Sequence, residues 1–246
     1  MAGETVMNAI NESVSLLSIG ADGWGDDLLR GAARTLELGA LSLLFGIAFG
    51  LILAGGKLSR SPFLRIPASG YTLFIRGVPE FLVLLLVYFG SEQIINQSAI
   101  SMGLNGDFAV SRFAAAVAGL SLIFAAYACD VFRGAYLSVP KGQMEAAIAV
   151  GMSPTKAFIR VRLPQLWRFA IPGLGNLWMV MLKDTSLAAV LAVDELLRVA
   201  KLAGETTRLP LLFLCTAGLL YLAMTALSDL IRARIEARSR RGLPES

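Results

Sequence analysis

The amino-acid sequence predicts an all-α membrane protein with about five transmembrane helices. Of its 246 residues, 56% are hydrophobic and only 16% are charged, and the mean hydropathy is +0.66. This composition is too apolar for an ordinary soluble domain of the same length. The charges are also uneven, because several stretches of roughly 20 residues carry almost none, and that length crosses a bilayer core. Lys and Arg collect between alternate stretches, as in membrane proteins with a fixed orientation.

Five apolar stretches are predicted to form spanning helices, since backbone in lipid must satisfy its own hydrogen bonds. They cover residues 36–55, 69–90, 113–132, 169–190 and 209–231. The second stretch is interrupted by Arg76, Pro79 and Glu80, so a kinked or re-entrant segment stays open as an alternative there.

The first stretch carries small residues at four-residue spacing, which lets another helix approach closely. These are Ser42, Gly46, Gly50 and Ala54. Packing inside the chain is favoured over a contact between subunits. The preceding segment, residues 6–19, is apolar enough to lie on the outer membrane surface, and Trp24 could anchor at the interface.

The distribution of Lys and Arg predicts the orientation. With the N-terminus outside, about fifteen of these residues fall on the inner side and six on the outer side, with Lys183 inside a span. Basic residues favour the inner side. The sequence therefore predicts an external N-terminus and an internal C-terminus.

Several functional classes find no support in the residues. The chain has no His and no visible pairing of a nucleophile with a base. Gly56-Lys57 fails the phosphate-loop pattern, because Leu51 and Leu58 replace the required Gly and Ser or Thr. The net charge of +4 is spread between apolar runs rather than over one basic patch. We expect no catalytic site, metal, cofactor or nucleic-acid partner.

The longest hydrophilic interval, residues 133–168, is predicted to contain two short helices on the inner side. Residues 144–150 favour the first helix, and Gly151 is a good stop signal. Ser153-Pro154 is a good restart, and Leu163-Pro164 is expected to close the second helix. Such an arrangement suits docking into a groove on a partner, or it is only an interfacial connector.

The same interval resembles the "EAA" signature of ABC importer permeases, with Val161 where Ile is usual. The matching residues are Glu145, Ala146, Ala147, Gly151, Leu163 and Pro164. Over most of residues 28–236 the chain is similar to the polar amino acid branch, as in Arg76-Gly77-Val78-Pro79 and Lys183-Asp184-Thr185-Ser186-Leu187. Asp22-Gly23-Trp24-Gly25 is similar to Q-type subunits of histidine, basic amino acid and opine permeases. Asp130 stands where the branch usually has Glu.

The resemblance implies the ABC type I importer fold in residues 28–236, between a periplasmic N-terminal segment (1–27) and a cytoplasmic tail (237–246). It implies a non-catalytic subunit of the bacterial inner membrane, surrounded by lipid, whose residues 145–151 form a coupling helix seated in a separate ATPase. The implied partners are a dimer of ATP-binding subunits, a second permease, a periplasmic binding protein and an amino acid. An M-type partner is favoured over a second copy of this chain.

Ionisable residues inside spans are costly and are therefore functional candidates. Glu80 and Asp130 are the candidates for attracting a cationic solute. Arg76, Lys183 and Asp184 are assigned to gating or packing. Alternatively, Arg76 and Glu80, four residues apart, form an ion pair on one helix face.

The resemblance and these carboxylates together predict an importer of basic amino acids or opines. The alternatives are a permease for another polar amino acid and a secondary transporter. Secondary transporters often contain inverted repeats, but the sequence shows no convincing repeat, and five spans cannot be halved. A structural membrane protein would leave the charges inside the spans unexplained.

Overall fold

A computed structural model describes residues 15–20, 23–104 and 108–239. Within these residues the chain is helical and contains no strand, which confirms the predicted fold class. The helices are α1 (Gly25–Leu58), α2 (Pro62–Gly77), α3 (Glu80–Ser101), α4 (Arg112–Ser138), α5 (Lys141–Ala149), α6 (Pro154–Ala157), α7 (Leu163–Asp184), α8 (Leu196–Thr207) and α9 (Pro210–Ser239). A π-helical turn (Phe158–Arg162) precedes α7, and a 3₁₀ helix (Thr185–Leu191) follows it.

Three single helices in the described part of the chain are long and apolar enough to cross a membrane: α1, α4 and the Pro210–Arg238 part of α9. They contain the predicted first, third and fifth spans. The predicted second span, 69–90, is broken, because α2 and α3 meet at an angle of 111°. Counted as one span, this bent pair brings the number to four.

The break between α2 and α3 follows from Pro79. The residue before a proline is pushed out of the helical region, and Val78 is extended with φ −104° and ψ 139°. Pro79 also has no N–H to continue the helix, and α3 begins at the next residue. The alternative of a kinked or re-entrant segment is therefore confirmed for this stretch.

The predicted fourth span, 169–190, does not form one continuous apolar helix. It is divided between α7, which ends at Asp184, and the 3₁₀ helix. α7 is not among the helices that meet the length and hydropathy requirement in the described residues. Arg168, Pro172 and Asn176 lower the apolar character of this helix.

Helix α4 lies at the centre of the bundle, and α1 packs along it. The four small residues of α1 are all buried. A Cβ placed on Gly50 would lie 2.8 Å from the Ala128 Cβ and 3.0 Å from the Ala125 carbonyl oxygen, and one on Gly46 would lie 2.5 Å from the Phe124 ring. The predicted use of this stripe in packing within the chain is confirmed.

A second, smaller core lies where α8 meets the start of α1 and of α9. It contains Leu28, Leu196 and Phe213, all at most 2% exposed. Trp24 is partly buried and packs against it, with its ring centroid 6.3 Å from that of Phe213. Most of the apolar segment 6–19 lies outside the described residues, as does Asp22.

Candidate functional site

The region between α4 and α7, residues 141–162, is hereafter called the coupling segment. Its first helix, α5, begins at Lys141, three residues earlier than predicted, and ends at Ala149. Ala147 faces the protein and is 6% exposed, whereas Glu145 and Ala146 are exposed. Two of the three residues of the EAA motif are thus available to a partner.

Gly151 ends this helix in the way that the sequence predicts. Its φ is +88°, a left-handed conformation that side chains disfavour. Its N–H donates to the Ile148 carbonyl at 2.9 Å, and the Met152 N–H donates to the Ala147 carbonyl at 3.1 Å. Ser153 then caps α6, since its hydroxyl accepts the Lys156 N–H at 3.4 Å.

The expectation that Leu163-Pro164 closes the second helix is wrong. The chain stays helical from Pro154 through the π turn into α7, and Pro164 lies in the first turn of α7. Proline has no N–H to continue the bonding pattern of the preceding turn, and the change from π to α geometry falls at this point. The Leu163 N–H bonds back five residues, to the Phe158 carbonyl, so the π turn joins the two helices.

Arg162 fixes the π turn against the end of α4. Its Nη1 donates to the Tyr136 hydroxyl at 2.6 Å, and its guanidinium carbon lies 4.4 Å from the centre of the Tyr136 ring. The outer surface of the coupling segment carries apolar side chains among charged ones: Ile148, Val150 and Ile159 are 48%, 76% and 54% exposed. Exposed apolar side chains beside a polar end of the protein are typical of a protein-binding surface.

The charged residues of the spans form two clusters, and the first is an ion triad of Lys57, Arg76 and Asp130. The Lys57 Nζ lies 2.8 Å from Asp130 Oδ1, and the Arg76 guanidinium pairs with Oδ2. The three side chains come from α1, α2 and α4. One carboxylate therefore ties three helices together at the end of the bundle from which the coupling segment leaves.

The alternative ion pair between Arg76 and Glu80 is not formed. Because the chain bends at Pro79, these residues lie on different helices, and Arg76 pairs with Asp130 instead. Tyr127 lies between them. Its hydroxyl donates to Glu80 Oε1 at 3.1 Å, and the Arg76 guanidinium carbon lies 5.6 Å from its ring centre.

The second cluster is an acidic pair, Glu80 and Asp184, which both lie within electrostatic range of Tyr127, while the positive charge of Lys183 also acts on Asp184. The two residues begin α3 and end α7. Both side chains are partly buried, whereas the neighbouring Lys183 is exposed. Two carboxylates that repel one another in a partly dry environment gain stability from a bound cation.

Within the described residues, no group of three potential ligands is placed to hold a metal ion. Three residues that hold polar contacts in the structure have no partner predicted from the sequence: Lys57 in the ion triad, Tyr127 beside Glu80, and Glu195, which binds Tyr221. From the sequence, Lys57 is interpreted as a charge at the end of a span, Tyr127 belongs to Ala126-Tyr127, which resembles the polar amino acid branch but has no role assigned, and Glu195 lies in no motif. Each acquires its role from a partner distant in the chain.

Comparison with known proteins agrees with this architecture. The family model described as "Binding-protein-dependent transport system inner membrane component" matches residues 46–241. The octopine transport system permease protein OccQ of Rhizobium radiobacter is 40% identical over 93% of this chain and 96% of its own length. The nopaline permease NocQ of Agrobacterium fabrum is 41% identical over 94% and 98%. The histidine/lysine/arginine/ornithine permease HisQ of Escherichia coli is 37% identical over 88% and 94%.

Solved structures show the same fold. A chain from the crystal structure of an amino acid ABC transporter with histidines superposes with a TM-score of 0.76 and 28% identity, over 87% of this chain and 95% of that one. A chain of the MetNI methionine ABC transporter gives a TM-score of 0.71 at 18% identity, over 90% and 100%. The predicted importer fold is thus confirmed. The chain belongs to the binding-protein-dependent transport system inner membrane components, the non-catalytic permease subunits of ABC importers, in which ATP is hydrolysed by a separate subunit.

Proposed function

We propose that this permease imports basic amino acids or opines. The observation that carries the proposal is the acidic pair of Glu80 and Asp184, which offers two interacting carboxylates and the Tyr127 hydroxyl inside the bundle. A carboxylate attracts a cation more strongly there than in bulk water. The named substrates of the relatives include octopine, nopaline and basic amino acids, which supports the same solute class.

Glu80 is the stronger of the two original candidates for contact with the solute. Asp130 already neutralises two cations, and one of them, Lys57, is only 15% exposed. A further cation would have to displace Lys57 or Arg76 from the carboxylate. Glu80 has Tyr127 as a neutral partner and can therefore accept a solute cation at lower cost. Asp130, Arg76 and Lys183 are assigned to packing or gating.

The coupling segment is proposed to transmit the movement of the ATPase subunits. Glu145 and Ala146 face outward on α5, and Gly151 stops that helix with an open surface around it. The exposed apolar side chains around this stop provide a contact surface, and Arg162 connects it to α4. Leu163 and Pro164 carry the connection from the π turn directly into α7.

The family implies ATP-binding subunits, a permease partner and a binding protein. The Q-type relatives support a heterodimer with an M-type permease. We place the transmembrane domain at residues 28–236 in the inner membrane, with residues 1–27 periplasmic and 237–246 cytoplasmic. The excess of Lys and Arg on the side of the coupling segment supports this orientation.

The orientation is tested with single cysteines at Ser18 and Ser239 in a variant lacking Cys129 and Cys215. A membrane-impermeant thiol reagent applied to intact spheroplasts should label only the cysteine at position 18. Labelling only at position 239 contradicts the orientation.

The function is tested with the complete transporter in proteoliposomes, by uptake of labelled L-arginine in competition with a panel of amino acids. The proposal is supported if uptake depends on ATP and is inhibited by L-lysine, L-histidine, octopine or nopaline. Uptake of only uncharged or acidic amino acids indicates a permease for another polar amino acid, and uptake driven by an ion gradient without ATP indicates a secondary transporter.

The role of Glu80 is tested in the same liposomes. Glu80→Gln should raise the apparent KM for the cationic substrate without reducing the amount of assembled complex, because the amide keeps the size of the side chain and loses its charge. Glu92→Gln, on the same helix, is the matched control. An unchanged KM for Glu80→Gln contradicts contact with the substrate.

A further inference from the structure

Glu195 is a completely buried carboxylate that neither the coupling segment nor the acidic pair uses. It lies beside Thr35, near the start of α1, whereas the ion triad lies beside Lys57 at the end of that helix. The rise of an α-helix places these two positions of α1 about 33 Å apart. Glu195 is thus at the end of the bundle opposite to the coupling segment, and a buried charge there needs a reason.

The Glu195 carboxylate holds the start of α8. Its Oε1 accepts the Arg198 N–H at 2.8 Å, and its Oε2 accepts the Leu197 N–H at 3.0 Å. The Leu196 N–H donates instead to the Thr35 hydroxyl, at 3.2 Å. The first three N–H groups of α8, which have no partner within the helix, are therefore satisfied by two side chains.

The same carboxylate reaches two other helices. The Tyr221 hydroxyl of α9 donates to Oε2 at 2.7 Å, and the Thr35 hydroxyl of α1 lies 3.5 Å from that oxygen. The backbones are also close, since a Cβ on Gly31 would lie 3.0 Å from the Leu196 Cα. Burial raises the pKa of Glu195, and the hydrogen bonds from Leu197, Tyr221 and other donors act against that rise. Helix α8 cannot shift without disturbing both neighbours.

Tyr221 links this network to the Lys183-Asp184-Thr185-Ser186 turn. The Thr185 side chain lies beside this network: a Cβ on Gly39, one helical turn after Thr35 on α1, would lie 3.6 Å from the Thr185 Cγ2, and the Tyr221 hydroxyl is within electrostatic range of Thr185. Thr185 is fully buried, and its hydroxyl donates to the Leu182 carbonyl at 2.8 Å. It directly follows Asp184, so a displacement of Thr185 also displaces one member of the acidic pair.

The backbone between Thr185 and Glu195 provides a second connection between the turn and α8. The 3₁₀ helix runs from Thr185 to Leu191, and Ala192 then adopts a left-handed conformation with φ 56°. Glu195 follows and caps α8, whose outward face exposes Lys201 and Glu205. A displacement of α8 from outside is thereby passed to the turn by the backbone and by Tyr221.

We propose that Glu195 is a positioning residue that acts through Tyr221 and Thr185 to set the position of Asp184 and to couple it to α8. This inference rests on the proposed function in one respect, because it takes Asp184 to face the transported solute. Glu195 itself contacts no solute. Its effect on transport therefore appears as a change in the apparent affinity for the substrate and not as a change in basal ATP hydrolysis.

The inference is tested by a double-mutant cycle of Tyr221→Phe and Thr185→Val, with uptake normalised to the amount of assembled complex. Both substitutions remove a hydroxyl and keep the shape of the side chain. The substrate is the amino acid that the competition panel shows the wild type to carry, so the result does not depend on whether that substrate is basic. Each single variant should raise KM several-fold and leave basal ATP hydrolysis unchanged, and the double variant should resemble a single one.

Substitutions of Glu195 separate positioning from simple stability. Glu195→Ala should raise KM and leave basal ATP hydrolysis unchanged. Glu195→Gln should restore most of the wild-type KM, because an amide oxygen in the place of Oε2 still accepts the Leu197 N–H and the Tyr221 hydroxyl, and only the Arg198 N–H loses its acceptor. Asp194→Ala, at the exposed neighbouring position, is the control with wild-type KM. If Tyr221→Phe has a wild-type KM, if the two hydroxyl deletions are additive, or if Glu195→Ala only reduces the amount of complex, the inference is overturned. If the proposed substrate class is wrong, this appears separately, as a lack of competition by basic solutes in the panel and as an unchanged KM for Glu80→Gln.

Discussion

Asp130→Asn is the substitution that best separates a structural carboxylate from one that senses the solute. In the wild type one oxygen of Asp130 binds Lys57 and the other binds Arg76. Asparagine keeps the shape and one acceptor oxygen, which can stay on Lys57. Its amide nitrogen is a donor and would face the Arg76 guanidinium, itself a donor. The variant thus leaves two cations without a counter-charge.

The expected cost follows from the exposure of each partner. Lys57 is 15% exposed, and a hydrogen bond between charged groups that is this well shielded contributes about 1.5–3 kcal/mol. Arg76 is 51% exposed, so its contact contributes at most about 1 kcal/mol. Because the amide retains part of the Lys57 interaction, we expect a total loss of about 2 kcal/mol. For a chain of this size, that corresponds to a fall of roughly 4–8 °C in Tm.

The assay is thermal unfolding of the purified complex, together with the uptake KM of the same preparation. Asp130→Asn should lower Tm and leave KM close to the wild-type value. The double variant Lys57→Met/Asp130→Asn should recover part of the loss, because it removes the more buried of the two unpaired cations. Asp130→Glu, which preserves the charge, should lie closer to the wild type.

A different pattern would refute this reasoning. If Asp130→Asn left Tm unchanged and raised the KM for a cationic substrate, Asp130 would act on the solute. If Lys57→Met made the Asp130→Asn protein less stable still, the two residues would not be paired in the folded transporter.

Three further predictions follow from the geometry. Gly151→Asp should abolish most ATP-driven uptake while the protein stays in the membrane, because its φ of +88° disfavours a side chain and because a Cβ there, with nothing within 4 Å in its own chain, faces the proposed ATPase contact. Gly142→Asp, at an open position within α5, should transport normally, and equal uptake by both would exclude the coupling role. Gly50→Ala should be less stable than Gly55→Ala by about 1–3 kcal/mol in thermal or denaturant unfolding, because only the Cβ at Gly50 would crowd α4; equal stabilities would mean that α1 and α4 do not pack so closely. Burial raises the pKa of Glu195, so the stability linked to its protonated form is present at low pH and is lost as the pH rises through the folded-state value. Tm of the wild type should therefore fall relative to that of Glu195→Gln as the pH rises above the ordinary glutamate pKa of about 4.3, and parallel Tm curves would contradict this.

The helices and the coupling motif could be predicted because their signals are local. Hydropathy over about 20 residues located the three helices that cross the membrane as single elements. Gly151 and Ser153-Pro154 marked the break in the coupling segment through backbone rules that act within one turn. The prediction that Leu163-Pro164 ends the second helix was wrong because a local signal is ambiguous there: a proline fits equally well after a helix and in the first turn of a new one.

The partners of the charged residues could not be predicted, because they are distant in the chain. The pattern of four-residue spacing paired Arg76 with Glu80, but Pro79 turns the helix and leaves Arg76 beside Asp130, 54 residues further on. Lys57 is 73 residues from the same carboxylate.

By itself, the sequence determined that this is a helical membrane protein, since hydropathy and capping depend only on neighbouring residues, and its resemblance to the EAA signature indicated a permease. Only the tertiary structure decided what each buried charge does. Glu195, without any motif around it, caps a helix and meets Thr35, 160 residues away, because the free energy of a buried carboxylate depends on which donors packing brings to it.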